Sequence, residues 1–222
     1  MALIPRVIPF GEAALLVELG EAFDESVAGW ARAIADRWDL GPAVPAYASV
    51  VVSFDPEVIE PEIAERRMHD LLAPGPTFAA RPRGAPGDAD AQSVTLSRIV
   101  EIPTRYDGAD LADVAQRSGL SVGELVAMHS GREYTAIFLG FLPGFAYCGR
   151  LDPRIVAPRL SRPREKVPAG AVAVADGQTA VYPFASPGGW RLIGSTDVPM
   201  FDPKSAEPSR LRAGDRVRFV PR

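Results

Sequence analysis

The chain has 222 residues, 24 basic against 28 acidic side chains and a formal net charge of -4, with 47% hydrophobic and 23% charged residues. This composition belongs to a globular protein with a real core and excludes a disordered chain. A mildly acidic balance gives no general positive field for a polyphosphate backbone, so nucleic acid is not an expected partner.

In chain order, MALIPRVIPFGEAALLVEL sets Pro5, Arg6, Pro9 and Glu12 before any long apolar run, so it reads as structured protein rather than a signal peptide. Two apolar runs flank Gly11. Val27, Trp30, Ile34 and Trp38 then recur at helical spacing, which predicts an amphipathic helix. AYASVVVSFD predicts a strand stopped by Asp55 and Pro56, and Ile59, Ile63, Leu71 and Leu72 predict a second helix. The resulting order, β-β-α-β-α over residues 1–85, suits a small α/β sandwich with both helices on one face and Trp30 and Trp38 in its core. No motif in this half carries chemistry.

Residues 81–92, RPRGAPGDADAQ, have no apolar periodicity and read as a linker to a second domain at 93–222. There VTLSRIVEI predicts a strand, followed by helices at 110–118 and from Ser121, with Ser121 and Glu124 spaced as a capping box. The second helix, VGELVAMHS, has no Arg, Lys, Asn or Gln to read bases, which argues against a DNA-binding pair. From Tyr134 onward short apolar runs alternate with Gly and Pro, the pattern of a β-barrel or sandwich, so the fold class is α+β. No run approaches the roughly 20 apolar residues of a membrane span. The single cysteine, Cys148, forms no internal disulfide, and the chain is expected in a reducing cytoplasm.

Four segments hold Gly and Pro too densely for ordinary strands: FLGFLPGFAY (138–147), APRLSRPREKVPAGAV (157–172), GQTAVYPFASPGGWRLIGST (177–196) and Phe201-Asp202-Pro203. The aromatic residues around Pro143, among them Phe141 and Phe145, suit a pocket wall. Gln178, Thr179 and Tyr182 carry amide, hydroxyl and phenol groups that can orient a small amide ring or tie down the barrel's own loops. Gly188 and Gly189 form a tight turn before Trp190, itself either pocket edge or core. His129, at a helix end, suits either a general acid or base or a cap on the last carbonyls. Cys148 has no visible base partner and is assigned no catalysis. No GxxxxGK[ST] string and no metal-spaced cluster is present.

Taken in order, these segments closely resemble the signature of the 5-oxoprolinase B-subunit family, also called allophanate hydrolase subunit 1 and including sporulation-kinase inhibitor proteins. The match is strong from His129 to Pro203 and looser over EIPTRYDGADLADVA and LRAGDRVRFVP, while the first 90 residues resemble the family only in layout. The chain departs from the pattern at Ala180, where Gly is usual, at Ala171, where Ser is commoner, and at Ala146, where Pro is frequent.

The resemblance implies a cyclophilin-like β-barrel as the second domain. It also implies ring opening of 5-oxo-L-proline to L-glutamate with ATP and Mg2+, shared with the enzyme's two other components, its carboxyltransferase-type C component and its A component. Residues 150–166 hold Arg150, Arg154, Arg159, Arg162, Arg164 and Lys166 against Asp152 and Glu165. Such a run suits a solvated or docking surface as well as an anion grip; Arg159, Arg164 and Lys166 fall inside the family motif and are the expected anion binders. Phosphorylation of the lactam oxygen would be the simplest use of ATP, with Arg164 and Lys166 meeting the charge. The rival functions are inhibition of a sensor histidine kinase and a part in allophanate or urea metabolism.

Overall fold

The computed structural model describes residues 5–20, 33–34, 37–46, 48–73 and 98–222, and the chain divides into two compact units, 1–93 and 94–222. In the first, strands β1 (Arg6–Pro9), β2 (Ala14–Glu18), β3 (Ala43–Pro45) and β4 (Ser49–Ser53) form an antiparallel sheet in the order β1-β2-β4-β3. Period-two alternation turns Leu15, Val17, Val50 and Val52 to the buried face. Helix α1 (Pro61–Leu72) follows, with Pro61 in its first turn, where a missing N–H costs nothing.

Two features differ from the sequence reading. β3 starts after Pro42 and ends on Pro45, residues that weaken a strand signal, yet as an edge strand it tolerates them. The buried stripe of α1 is Ala64 and Met68, while Ile63 is exposed, so small Ala64 rather than Ile63 faces inward. Trp38 is core as expected: its indole N–H donates to the Ser53 carbonyl at 2.7 Å. Val27, Trp30 and the linker at 81–92 lie outside the described residues.

The second unit is a nearly closed β-barrel. Its strands are β5 (Ile99–Thr104), β6 (Glu133–Leu139), β7 (Ala146–Gly149), β9 (Ala171–Ala175), β10 (Gln178–Val181), β12 (Arg191–Ser195) and β13 (Arg216–Pro221), hydrogen-bonded in the order β12-β9-β10-β7-β6-β13-β5. A reciprocal pair of backbone bonds between Arg105 and Ser195, 2.8 and 2.7 Å long, joins the two edges. Gly194 allows the approach, since a Cβ there would fall 2.4 Å from the Arg105 carbonyl oxygen. A separate ribbon pairs β8 (Arg164–Val167) with β11 (Ser186–Gly188).

Helices α2 (Leu111–Arg117) and α3 (Val122–Ser130) add Leu111, Val114 and Leu125 to the core that gathers Val172, Val174, Val181, Ile193 and Phe219. Ser121 and Glu124 form the expected reciprocal capping box on α3. β9 is buried on both faces: its valines join this inner core, and Ala171, Ala173 and Ala175 join a second cluster on the outer face with Phe145, Tyr182 and Trp190. That outer face carries the candidate site.

Candidate functional site

The floor of the outer face is made small by Ala173, Ala175 and Ala180, all fully buried. Above it Tyr147 and Trp190 approach to 5.7 Å between ring centroids, and Phe145 meets Tyr147, Tyr182 and Trp190 edge to face at 4.9, 5.3 and 5.7 Å. Such geometry stabilises aromatic clusters beyond their buried area. Gly188 makes room for Tyr182, because a Cβ there would lie 2.3 Å from the phenol oxygen.

The loop between β6 and β7 is pinned by hydrogen bonds from Phe145 N–H to the Leu142 carbonyl and from Gly140 N–H to the Phe145 carbonyl. It holds Phe141 at φ +70°, a left-handed conformation unusual for a bulky residue, and leaves the residue 59% exposed. Phe141 touches Phe145 and Tyr182 edge to face. With Pro143, Gly144, Phe201 and Ser209 it lines an open cleft of about 470 Å3.

The cations fall into three settings. Arg164 donates to Asp110 Oδ1 at 2.6 Å and to the Trp190 carbonyl at 3.4 Å; Asp110 is buried, and its other oxygen accepts the Leu192 N–H at 2.7 Å. Asp110 opens α2 without capping it through its side chain, because its carboxylate is spent on β12 and Arg164. Arg159 is exposed and paired with Asp176 at 2.9 Å, and its charge acts on both Tyr147 and Tyr182. Lys166 is exposed and has no ion-pair partner among the described residues.

β10 divides the expected polar set. Gln178 and Tyr182 share the outer face with Ala180, whereas Thr179 points inward to His129. Gln178 is 8% exposed, and its Nε2 has no hydrogen-bond partner. Gly189 supports the turn before Trp190, its carbonyl accepting the Leu160 N–H at 2.7 Å. The structure thus gathers Phe141, Phe145, Gln178, Tyr182, Gly188 and Trp190 on one face, puts Pro143 at the cleft and leaves Thr179 out. Tyr147, the last residue of the 138–147 segment, and Asp110, which no local motif announces, belong to the same region.

His129 departs from the acid-base expectation, since it is fully buried and both ring nitrogens are engaged. Thr179 Oγ1 gives its proton to the Ala173 carbonyl at 3.1 Å, so it accepts from His129 Nε2–H at 2.9 Å, and Tyr106 donates to Nδ1 at 2.7 Å. Phe219 and Tyr134 stack against the ring at 4.6 and 5.3 Å. The imidazole touches no solvent and is bonded through Thr179 to the Ala173 carbonyl.

Burial pushes the His129 pKa down to about 3 from 6.5. The unfolded chain therefore takes up a proton near pH 6.5 that the folded chain refuses until about 3. This contribution to stability is whole above pH 6.5 and is lost as pH falls, by about 1.4 kcal/mol at pH 5.5. Urea unfolding midpoints should drop accordingly between pH 7.5 and 5.5, and a flat midpoint would contradict the neutral, buried ring.

Cys148 is also buried, and its thiol is pushed up to about 12, first by desolvation. Thiol reagents at pH 8 are expected to leave the native chain unmodified and to label it on unfolding; rapid native labelling would refute that burial. Among the described residues no three His, Cys, Asp or Glu side chains are grouped to hold a metal ion. Among them, too, no helix is long and apolar enough to cross a membrane.

The carboxyltransferase domain, subdomain C and D, matches residues 5–211. The 5-oxoprolinase B subunit of Bacillus subtilis (strain 168) is 36% identical over 224 residues, covering 97% of this chain and 92% of that protein. The protein of the same name from Escherichia coli O157:H7 is 53% identical over 128 residues, which cover 56% of this chain and 59% of that one. A crystal structure of TTHA0988 superposes with a TM-score of 0.76 at 36% identity over 95% of this chain, which spans only 40% of that longer one. The chain therefore belongs to the carboxyltransferase domain family, subdomain C and D, and within it to the relatives of the 5-oxoprolinase B subunit.

Proposed function

We propose that this chain is the B subunit of an ATP-dependent 5-oxoprolinase, which opens the lactam of 5-oxo-L-proline to L-glutamate together with the carboxyltransferase-type C component and the A component of that enzyme. The observation that carries the reading is the 36% identity to the Bacillus subtilis protein over 97% of the chain. The outer face of the barrel suits the substrate's shape. Aromatic rings cover its small alanines, an apolar setting suited to a small ring, and Arg159 brings a positive charge for the substrate's carboxylate.

ATP supplies a phosphoryl group for the lactam oxygen when it is bound. The sequence holds no GxxxxGK[ST] string, and the reading gives this chain the lactam and leaves the nucleotide to the assembled enzyme. Lys166, exposed near Arg164 and without an ion-pair partner among the described residues, is a cation placed to meet charge arriving from a partner. Lys166→Ala is expected to lower turnover of the assembly with little change in the chain's own stability.

The deciding experiment is 5-oxoproline-dependent ATP hydrolysis by this chain alone, by the three components together and by the partners without it. Activity in the complete mixture only is expected. The same rate without this chain, or none in any mixture of folded components, would overturn the reading.

A further inference from the structure

We propose that Gln178 is the specificity-determining donor of the outer face, its Nε2–H reading the ring carbonyl oxygen of a small cyclic amide. This deepens the function proposed above and rests on it for the substrate class. Its own basis is a vacancy in the hydrogen bonding. Among the described residues only Gln178 Nε2 and Ser186 Oγ are buried polar side-chain atoms without a partner. A carboxamide carries two N–H bonds fixed in its plane against the hydroxyl's one O–H, so the glutamine is the more telling of the two.

The register shows what surrounds that amide. Gln178 pairs with Ala175 on one side and with Gly149 on the other. Two residues from Gly149, Tyr147 projects to the same face, and Trp190 lies just before the Arg191 that pairs with Val174. The amide therefore sits on the alanine floor beside the Tyr147 and Trp190 rings, between apolar walls that offer it no acceptor. A donor set in such surroundings favours a ligand bearing a carbonyl and disfavours an analogue without one, which would leave the amide unpaired. Half-buried Tyr147 and the exposed Arg159–Asp176 pair lie on the solvent side of this buried amide, so a carboxylate on the ligand would face Arg159. The open cleft beside Phe141 and Phe201 contains no such unpartnered group and is not part of the proposal.

Calorimetric titration of the full chain tests the assignment with 5-oxoproline, with 2-pyrrolidinone, which keeps the carbonyl but lacks the carboxylate, and with L-proline, which lacks the ring carbonyl. The wild type should bind both lactams more tightly than proline. Gln178→Met should weaken both lactams by about tenfold or more and leave proline unchanged. Gln178→Leu, which removes the donor at similar size, should show the same loss and decides the matter should the Met variant not fold. Equal lactam affinity in a folded variant, equal affinity of the wild type for proline, or no lactam binding at all would overturn it. Kinetics of the three-component enzyme separate the two proposals. Lactam-dependent ATP hydrolysis with an unchanged KM in the variants removes Gln178 and keeps the function, while lactam binding through Gln178 without any hydrolysis by the assembly does the reverse.

Discussion

Arg164→Ala should destabilise the barrel unit by about 3 kcal/mol, because it strands a buried carboxylate. Asp110 has its two oxygens committed to Arg164 and to the Leu192 N–H, and it is almost wholly buried. Loss of the guanidinium leaves that charge with one neutral donor. Asp110→Asn keeps the bond from Leu192 and removes the charge, so it should cost less, about 1 to 2 kcal/mol. The double variant should be more stable than Arg164→Ala alone, since no lone charge remains buried. Urea unfolding of the four chains reads this cycle, and an Arg164→Ala midpoint equal to wild type would refute the anchoring role. The result bears on function as well. A loss of turnover in Arg164→Ala counts as chemistry only where the variant is shown to be folded, whereas Lys166→Ala, at an exposed residue with no ion pair among the described residues, carries no such confusion.

Much of the barrel was legible because its strands are separated by Gly and Pro, not because they alternate in polarity. The run AVAVA is apolar throughout, and polarity says nothing about its faces. Size does: the valines fill the inner core, and the alanines leave room outside for Phe145, Tyr182 and Trp190. The capping box on α3 was legible for a local reason, its partners being three residues apart. β3 was not, since Pro42 precedes it, Pro45 ends it and its place is fixed by pairing with β4. The inward face of α1 was misread because periodicity weighs side chains by hydrophobicity. Close packing on a sheet can instead prefer the small residue, Ala64, over its larger neighbour Ile63.

At the site, the Gly- and Pro-rich motifs located the right region but not which side chains share a face. Gln178 and Thr179 are adjacent in sequence and therefore point to opposite sides of β10, one to the outer face and the other to His129. That separation follows from the strand period alone once β10 is known to be a strand. The burial of His129 had no such signal, because it depends on Tyr106, Thr179 and Phe219, which come from three distant segments. Asp110 escaped for the same reason, lying 54 residues from the arginine it holds.

Three glycine-to-alanine variants separate the two reasons a barrel loop needs glycine, and Gly144→Ala should be the most damaging. At Gly144 both reasons coincide: φ is +80°, and a Cβ would lie 2.7 Å from the Met200 carbonyl oxygen and 2.8 Å from Phe201 Cβ. Left-handed strain of about 1 to 2 kcal/mol adds to overpacking of about 1 to 3 kcal/mol, so a loss of about 3 kcal/mol is expected. Gly119 has φ +65° with nothing within 4 Å, so its variant should show the conformational part alone, about 1 kcal/mol. Gly188 is not left-handed, yet its Cβ would strike the buried Tyr182 phenol, so that variant isolates the steric part. Thermal unfolding should rank Gly144→Ala below Gly188→Ala and Gly119→Ala highest, and equal losses at Gly144 and Gly119 would show that contact with Met200 and Phe201 contributes nothing. Relief of the clash must move either the loop that carries Phe141 and Phe145 or the segment at Met200. Gly144→Ala should therefore raise the KM for 5-oxoproline in the assembled enzyme, whereas Gly119→Ala, in the turn after α2, should leave it unchanged.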